Sequence, residues 1–326
     1  MILVTGATGH IGNVLVKKLV QRGKLVRILV LPGERQSLAG NMDVEVVTGN
    51  VLDPPSLRVA MTGIQLVYNL AGIIAIAPGT EELMWNVNVD GARMVAQTAL
   101  EMGMRRLIHV GSVHAFARRA QEVVDEESPL ALTAPRNNYD RTKAQGLAAA
   151  LNIGRAGLDV VVACPSGVIG PYDYLGSEMG RLIRNLARPG CHLLVDGGFD
   201  FVDVRDVADG LIKVAEKGRR GEIYILGGTY VSLGRLHELV RAVAQTKSTR
   251  LVVPIGVALA IGTIMPYYYR LTRTIPQITT YSVRTVGEKC RFSHAKAARE
   301  LDYKPRPLSE TIADTLSWWE IHSRNN

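Results

Sequence analysis

The chain has 326 residues, 47% of them hydrophobic and 21% charged, with 38 Lys and Arg against 30 Asp and Glu for a formal charge of +8. That apolar content excludes a disordered chain and the glycine spacing excludes a collagen, while the length allows one large core or two modest ones. Three separated cysteines, Cys164, Cys191 and Cys290, form neither a disulfide framework nor a zinc cluster, so no metal site is expected and a reducing compartment is.

Residues 1–218 hold 22 basic and 22 acidic side chains and residues 219–326 hold 16 and 8, so the whole excess lies in the last third. A solvated basic face accounts for it, with an anionic substrate or an acidic membrane surface as alternatives. Nucleic acid is not an expected partner, because no recognised binding motif accompanies the charge and aromatic residues make up only 6%. The start of the chain lacks a basic n-region and reaches glycine at position 6, so no signal peptide is expected and a cytoplasmic location is.

Met1–Thr5 reads as an apolar strand. Thr5-Gly6-Ala7-Thr8-Gly9-His10-Ile11-Gly12 follows it directly and opens a helical pattern over Ile11–Arg22. Gly6 permits a tight turn, Gly9 lets backbone approach a pyrophosphate, and Gly12 lets helix and strand pack closely. The exposed N–H groups and dipole of the helix start then hold phosphate charge, so Thr8, His10 and Ile11 complete a dinucleotide-binding turn.

Leu25–Leu31 is the second strand. An acidic residue at its tip would hold the ribose of NAD, and an arginine would take the 2′-phosphate of NADP. Leu31-Pro32-Gly33-Glu34-Arg35 supplies neither at the tip itself. Arg35, folding back from the loop, tilts the reading toward NADP and leaves NAD open. After the third strand, Val44–Thr48, the run Gly49-Asn50-Val51-Leu52-Asp53 directs Val51, Leu52 and Asp53 toward the cofactor. Asp53 is equally suited to accept from the adenine amine or to cap the helix behind Pro54 and Pro55. Leu66–Leu70 is the fourth strand, closed by Leu70-Ala71-Gly72 where backbone would pass under a ribose.

Leu107–Val110 is the fifth strand and ends in Gly111-Ser112; the C-terminal ends of parallel strands face the ligand crevice, so Ser112 can donate to a substrate carbonyl. Tyr139-Asp140-Arg141-Thr142-Lys143 puts a phenol and an ammonium at i and i+4, on one face of a helix. A phenol of pKa about 10 is a poor base at neutral pH. A neighbouring ammonium together with an oxidised nicotinamide ring favours the phenolate. Lys143 also reaches the nicotinamide ribose, and Asn88, in the helical run Asn86–Met102, is read as anchoring a water between Lys143 and solvent. His114 is either a substrate contact or a structural polar group.

Val160–Ala163 is the sixth strand. Strands apolar on both faces, alternating with helices, imply right-handed crossovers and a doubly wound parallel sheet. Beyond Pro165 the pattern loosens, with helices over Glu178–Ala187, Asp203–Lys217 and Leu233–Ala244 and a strand over Glu222–Leu226. The expected organisation is an α/β Rossmann domain over 1–165, its sheet completed by parts of 195–228, with 166–326 mostly a smaller α/β substrate-binding lobe. Leu251–Tyr269 is uncharged throughout, but two prolines and two glycines interrupt it. A helix over an apolar substrate cleft, or on a lipid surface, is expected there rather than a membrane span.

Taken in order, Gly6, Gly9, Gly12, Asp53, Leu70-Ala71-Gly72, Asn88, Ser112, Tyr139 and Lys143 resemble the extended short-chain dehydrogenase/reductases, and the likeness spans nearly the whole chain. Cys164-Pro165-Ser166-Gly167-Val168-Ile169-Gly170-Pro171 resembles the family's segment after the sixth strand, which implies Pro165 and Val168 against the nicotinamide carboxamide. Ser166 and Tyr172 are further candidate substrate contacts. Phe201-Val202-Asp203-Val204-Arg205-Asp206-Val207-Ala208 resembles the family's downstream motif. Within the family the chain looks closest to dihydroflavonol-4-reductase-like and aldehyde-reductase-like proteins.

The resemblance implies NADP or NAD as cofactor, acid/base chemistry by Ser112, Tyr139 and Lys143, a small carbonyl or alcohol substrate that is apolar or anionic, and a homodimer. Dehydration is disfavoured, because the family's sugar dehydratases carry Thr-Asp-Glu where Gly111 and Val113-His114 flank Ser112 here. A nucleotide-sugar epimerase retaining bound NAD is the alternative, with Arg181 or Arg273 to meet a diphosphate. A cofactor-binding scaffold without turnover is a third reading, opposed by the intact Ser112, Tyr139 and Lys143.

Overall fold

Residues 1–34, 42–74, 79–133, 138–272 and 280–324 are described in the computed structural model. β1 (Ile2–Thr5) leads through α1 (His10–Gln21) to β2 (Val26–Val30) and β3 (Glu45–Thr48), and α2 (Pro54–Met61) returns the chain to β4 (Leu66–Asn69). Next come α3 (Glu81–Trp85), a π-helical turn (Asn86–Gly91), α4 (Ala92–Glu101) and β5 (Arg106–Val110). The short β6 (Val123–Val124) and the long α5 (Asn138–Arg155) precede β7 (Val160–Pro165).

The strand order β3-β2-β1-β4-β5-β7 continues to β11 (Ile223–Leu226), and every pairing in this sheet is parallel. The direction of winding reverses between β1 and β4, which opens a crevice beyond their C-terminal ends. Side chains alternate cleanly between two cores. Leu3, Val67, Leu107, Val162 and Ile225 pack under α2, α4 and α5 with Leu57, Val95 and Leu147. Val4, Tyr68, Ile108, Val161 and Tyr224 pack under α1 and α7 (Val204–Lys217) with Leu15, Leu19 and Leu211. Each such aliphatic side chain contributes about 1.5–3 kcal/mol on leaving water. β3 departs from the doubly buried pattern, with three of its four residues exposed, because an edge strand is covered from one side only.

The second half adds β8 (Gly167–Ile169), α6 (Glu178–Leu186), β9 (Gly190–Val195) and β10 (Gly198–Asp203) before α7, then β12 (Thr229–Ser232), α8 (Leu233–Ala244) and β13 (Ser248–Val253) after β11. It closes with α9 (Ile255–Thr272), α10 (Thr280–Gly287), β14 (Arg291–Phe292), α11 (Ala295–Leu301) and α12 (Leu308–Arg324). β8, β10 and β12 make a small mixed sheet, and β9 pairs with β13. The uncharged run divides at Pro254 into β13 and α9. Among the described residues, α10 lines the crevice through Tyr281, Ser282, Thr285 and Val286, and it packs against α9. None of the described helices is long and apolar enough to cross a membrane.

The segment Phe201–Ala208 ties α7 to α12, while Phe201 also lines the crevice. Asp203 caps α7 through the Arg205 N–H at 2.7 Å and pairs with the Arg205 guanidinium, which also reaches Asp314 on α12. Arg306, just before α12, bonds Asp206 at 2.8 Å.

Candidate active site

The glycine turn is shaped for a close-lying phosphate. Gly6 has φ +65°, and a Cβ on it would lie 2.7 Å from the Leu70 backbone; one on Gly12 would lie 2.2 Å from the Gly6 carbonyl oxygen. Gly9 stands at the start of α1 with no side-chain cap and no acidic residue in the first turn, so the first N–H groups and the positive end of the helix are left to an anion. His10 and Ile11 line the crevice, and His10 Nε2 donates to the Pro171 carbonyl at 2.9 Å, tying the turn to the loop after β8. These residues fit a dinucleotide.

Among the described residues, the charged group that follows β2 is Glu34. Leu31-Pro32-Gly33-Glu34 forms a turn, with Gly33 at φ +76° and the Glu34 N–H donating to the Leu31 carbonyl at 3.0 Å. Proline followed by glycine is the pattern such a turn requires. The turn swings the carboxylate back so that it accepts from the Thr8 hydroxyl and, at 2.8 Å, from the Leu31 N–H. Arg35, on which the NADP expectation rested, lies outside the described residues.

Asp53 caps α2, its Oδ2 accepting from Ser56 N–H at 3.2 Å. Val51 is buried beside it and Leu52 packs against the core. Leu70 and Gly72 line the crevice opposite the glycine turn, with Ala71 between them donating its N–H to Thr5 Oγ1 at 3.3 Å. Pro165, at the end of β7, and Val168, on β8, line it from the other side.

Ser112, Tyr139 and Lys143 converge on the same crevice. Ser112 caps a short 3-10 turn and accepts the His114 N–H at 3.2 Å, which leaves its own proton to give. It is hydrogen-bonded to the Tyr139 hydroxyl. The Lys143 ammonium lies one helical turn on, 6.0 Å from the Tyr139 ring centre. Burial raises the phenol above its ordinary range and outweighs the bond to Ser112. Burial also lowers Lys143 to about 8. The expected depression of Tyr139 by its lysine is therefore not observed in the protein alone. That expectation also invoked the positive nicotinamide ring, and in an apolar crevice burial dominates.

Asn88 sits on the π-helical turn, a feature frequent at functional sites. Its Oδ1 accepts the Ile73 N–H at 2.8 Å, and its Nδ2 donates to the Ile73 carbonyl at 3.0 Å and to Thr142 Oγ1 at 3.2 Å. The amide is thus engaged by protein groups and ties the segment after β4 to the helix bearing Lys143. Beneath the triad, Ala71 N–H, Thr5, Asn69 and His109 form a hydrogen-bonded chain across the strand ends. Burial, and to a lesser degree Lys143, pushes His109 down to about 3, so it is neutral.

The crevice, about 520 Å³ in all, continues past the triad between apolar walls that include Leu175, Met179, Leu182, Phe199 and Val286. His114 and Ser166 are in the wall; Tyr172 is not. Its ring lies under the Lys17 ammonium at 4.4 Å and edge-on to Trp318. Arg181 lines the cavity, and Arg273 lies outside the described residues. Sequence reasoning passed over Glu34 and also a cluster behind His114, formed by Arg118, Asp140, Tyr281 and Glu288.

Comparison with known proteins agrees with this geometry. The chain is 32% identical over 324 residues to sterol demethylase protein B of Methylococcus capsulatus, covering 97% of each chain. It is 28% identical over 322 residues to a 4-hydroxy-2-methyl-3-oxo-4-farnesyl-3,4-dihydroquinoline-1-oxide ketoreductase of Stigmatella aurantiaca, covering 96% of this chain and 94% of the relative. The solved structure of gox2253 superposes with a TM-score of 0.87 at 29% identity over 99% of both chains. Residues 2–227 match the NAD dependent epimerase/dehydratase family. The chain is an NAD(P)-dependent enzyme of that family, the extended branch of the short-chain dehydrogenase/reductases.

Proposed function

We propose that the protein is a carbonyl reductase, or in reverse an alcohol dehydrogenase, acting on an apolar ketone or aldehyde with NAD(H). The observation that carries the reading is the Tyr139–Ser112 hydrogen bond in the wall of an apolar cavity, beside a turn built for a dinucleotide. Bound nicotinamide would supply the hydride. Tyr139, protonated at neutral pH, gives its proton to the carbonyl oxygen as charge develops there. Ser112 donates to the same oxygen and holds it in place. Lys143, charged below about pH 8, stabilises the phenolate left behind.

Glu34 supports NAD over NADP: a carboxylate accepts from ribose hydroxyls and repels a 2′-phosphate. The apolar wall supports a substrate with a hydrocarbon body, and two relatives are named for a sterol and for a farnesyl-bearing ketone. The test is consumption of NADH with a panel of aryl and alicyclic ketones, and its loss in Tyr139→Phe with cofactor affinity retained. Arg181 in the cavity wall favours a second reading, a nucleotide-sugar epimerase. Stoichiometric oxidation of NADH by a ketone excludes simple epimerisation, whereas NAD that copurifies and is never released supports it.

A further inference from the structure

His114 is fixed along one edge and open on the other. Its Nδ1 lies 3.1 Å from Asp140 Oδ1, 3.2 Å from Arg118 Nη1 and 2.8 Å from the Tyr281 hydroxyl. Arg118 is held in turn by Asp140 Oδ2 at 2.8 Å and Glu288 Oε2 at 3.0 Å, and Tyr281 donates to Asp140 Oδ1 at 2.7 Å. The ring stacks on Phe199 and meets Tyr139 edge-on, with centroids 5.7 and 5.4 Å apart. Turning the ring over would break every Nδ1 contact, so the network settles its orientation. Nε2 then has no hydrogen-bond partner among the described residues, and the ring forms part of the cavity wall.

The chemistry proposed above leaves His114 without a task, since Ser112 and Tyr139 handle the reacting oxygen. Its ring nonetheless touches Tyr139 and lines the cavity, which puts the ring within reach of substrate atoms near the reacting carbon. A wholly hydrocarbon ligand would desolvate this nitrogen unpaired, a penalty that a hydrogen-bonding ligand avoids. Resting on the reductase reading, we propose that His114 Nε2 binds a hydroxyl of the substrate, so that the preferred substrates are hydroxy ketones. A hydroxyl both gives and accepts a hydrogen bond, so it suits either neutral tautomer of the ring. A carboxylate does not suit the site, because Asp140 and Glu288 stand behind the ring against the single Arg118. Burial and the Arg118 charge keep the imidazole neutral, although Asp140 pulls the other way.

Two ketone pairs test this: benzoin against deoxybenzoin, and 4-hydroxy-4-phenyl-2-butanone against 4-phenyl-2-butanone, each with saturating NADH. The wild type is expected to favour the hydroxylated member of at least one pair by about 10–100-fold in kcat/KM, the worth of one well-made hydrogen bond. His114→Phe, folded by its melting curve, is expected to bring that ratio to within about threefold of one whatever its absolute rate. His114→Gln, which keeps polar atoms in the same space, retains part of the preference and serves if the phenylalanine variant does not fold. Calorimetric titration of the same pairs into NAD-saturated protein reads the ratio without turnover. A wild-type ratio near one for both pairs, or a ratio unchanged by the substitution, overturns the proposal. Absence of NADH consumption with a binding preference intact would instead overturn the reductase reading alone.

Discussion

Gly72 and Lys143 share one space: a Cβ on Gly72 would lie 2.7 Å from Lys143 Nζ and 3.3 Å from Asn88 Oδ1. The lysine ammonium is therefore seated against bare backbone at the end of β4, where a nicotinamide ribose would pass. In Gly72→Ala the clash falls on the far end of a flexible side chain, so the lysine moves and the backbone stays. Stability is expected to fall by about 1 kcal/mol or less, while kcat/KM drops by roughly 10–100-fold. Melting curves beside steady-state kinetics check this; an unaltered kcat/KM would mean that the position of the ammonium does not matter.

Glu34 makes the cofactor preference a question of one carboxylate. Wild type is expected to favour NADH over NADPH by about 10-fold or more, since removing or adding a charge contact to a phosphate is worth 1–3 kcal/mol. Glu34→Gln should lift the repulsion and bring the two cofactors close together, and Glu34→Arg should reverse the order. Fluorescence titration with each nucleotide gives the ratios. Tighter binding of NADPH by the wild type would assign the 2′-phosphate to another cation.

Proton affinities set a directional pH profile. Tyr139 is held above the ordinary phenol range by burial, so the acid needed for reduction is present across neutral pH. Reduction is expected to be flat up to about pH 8 and to decline above it, as Lys143 loses the proton that supports the emerging phenolate. Oxidation needs the phenolate at the outset and should rise about tenfold per unit between pH 7 and 8. In Lys143→Arg, whose charge persists, the decline in reduction should move upward by a unit or more. Coincident profiles in the two directions would contradict the assignment of Tyr139.

The same lysine links function to stability with a definite sign. Its folded-state value is lowered to about 8 from an ordinary 10.5, so between these limits the unfolded chain binds more protons and stability rises with pH. Lys143→Met, which removes the buried charge, is expected to be more stable than wild type by roughly 1–3 kcal/mol at pH 7 and catalytically dead. The gap between the two should narrow as pH climbs from 8 to 10.5. Urea melts of both proteins at pH 7 and pH 9.5 measure it.

The sheet was legible in the sequence because residues such as Leu3 and Val4, or Val161 and Val162, are apolar on both faces, and a parallel sheet buries both. Ser112, Tyr139 and Lys143 were legible because strand ends and i, i+4 spacing have local meaning. The strands β8, β10 and β12 were not, since β8 and β12 are brief and β10, six residues long, places the buried carboxylates Asp200 and Asp203 among its apolar side chains. Glu34 carried a readable signal in Pro32-Gly33, whose turn reverses the chain, but attention to the strand tip passed over it. Of the partners of His114, Arg118 is four residues on, but Asp140 and Tyr281 are distant in the chain, and no local pattern joins them to it. The raised phenol of Tyr139 escaped for a related reason: depth of burial belongs to the assembled crevice, whereas the charge of Lys143 is visible in the chain.

Gly146 carries the last constraint on the site. A Cβ there would lie 2.0 Å from the Asn88 carbonyl oxygen, so α5 and the π-helical turn touch backbone to backbone one turn beyond Lys143. Gly146→Ala meets backbone rather than a yielding side chain and should cost about 1–3 kcal/mol or more. It should also draw Asn88 away from Ile73 and Thr142. Asn88→Ala leaves the helices in contact but strips a hydrogen bond from the Ile73 N–H, at about 1–3 kcal/mol. If Asn88 acts by positioning, both variants should raise the KM for cofactor and lower kcat, with the pH at which reduction declines shifting together with Lys143. A variant that loses stability while keeping that pH and kcat unchanged would confine Asn88 to a structural role.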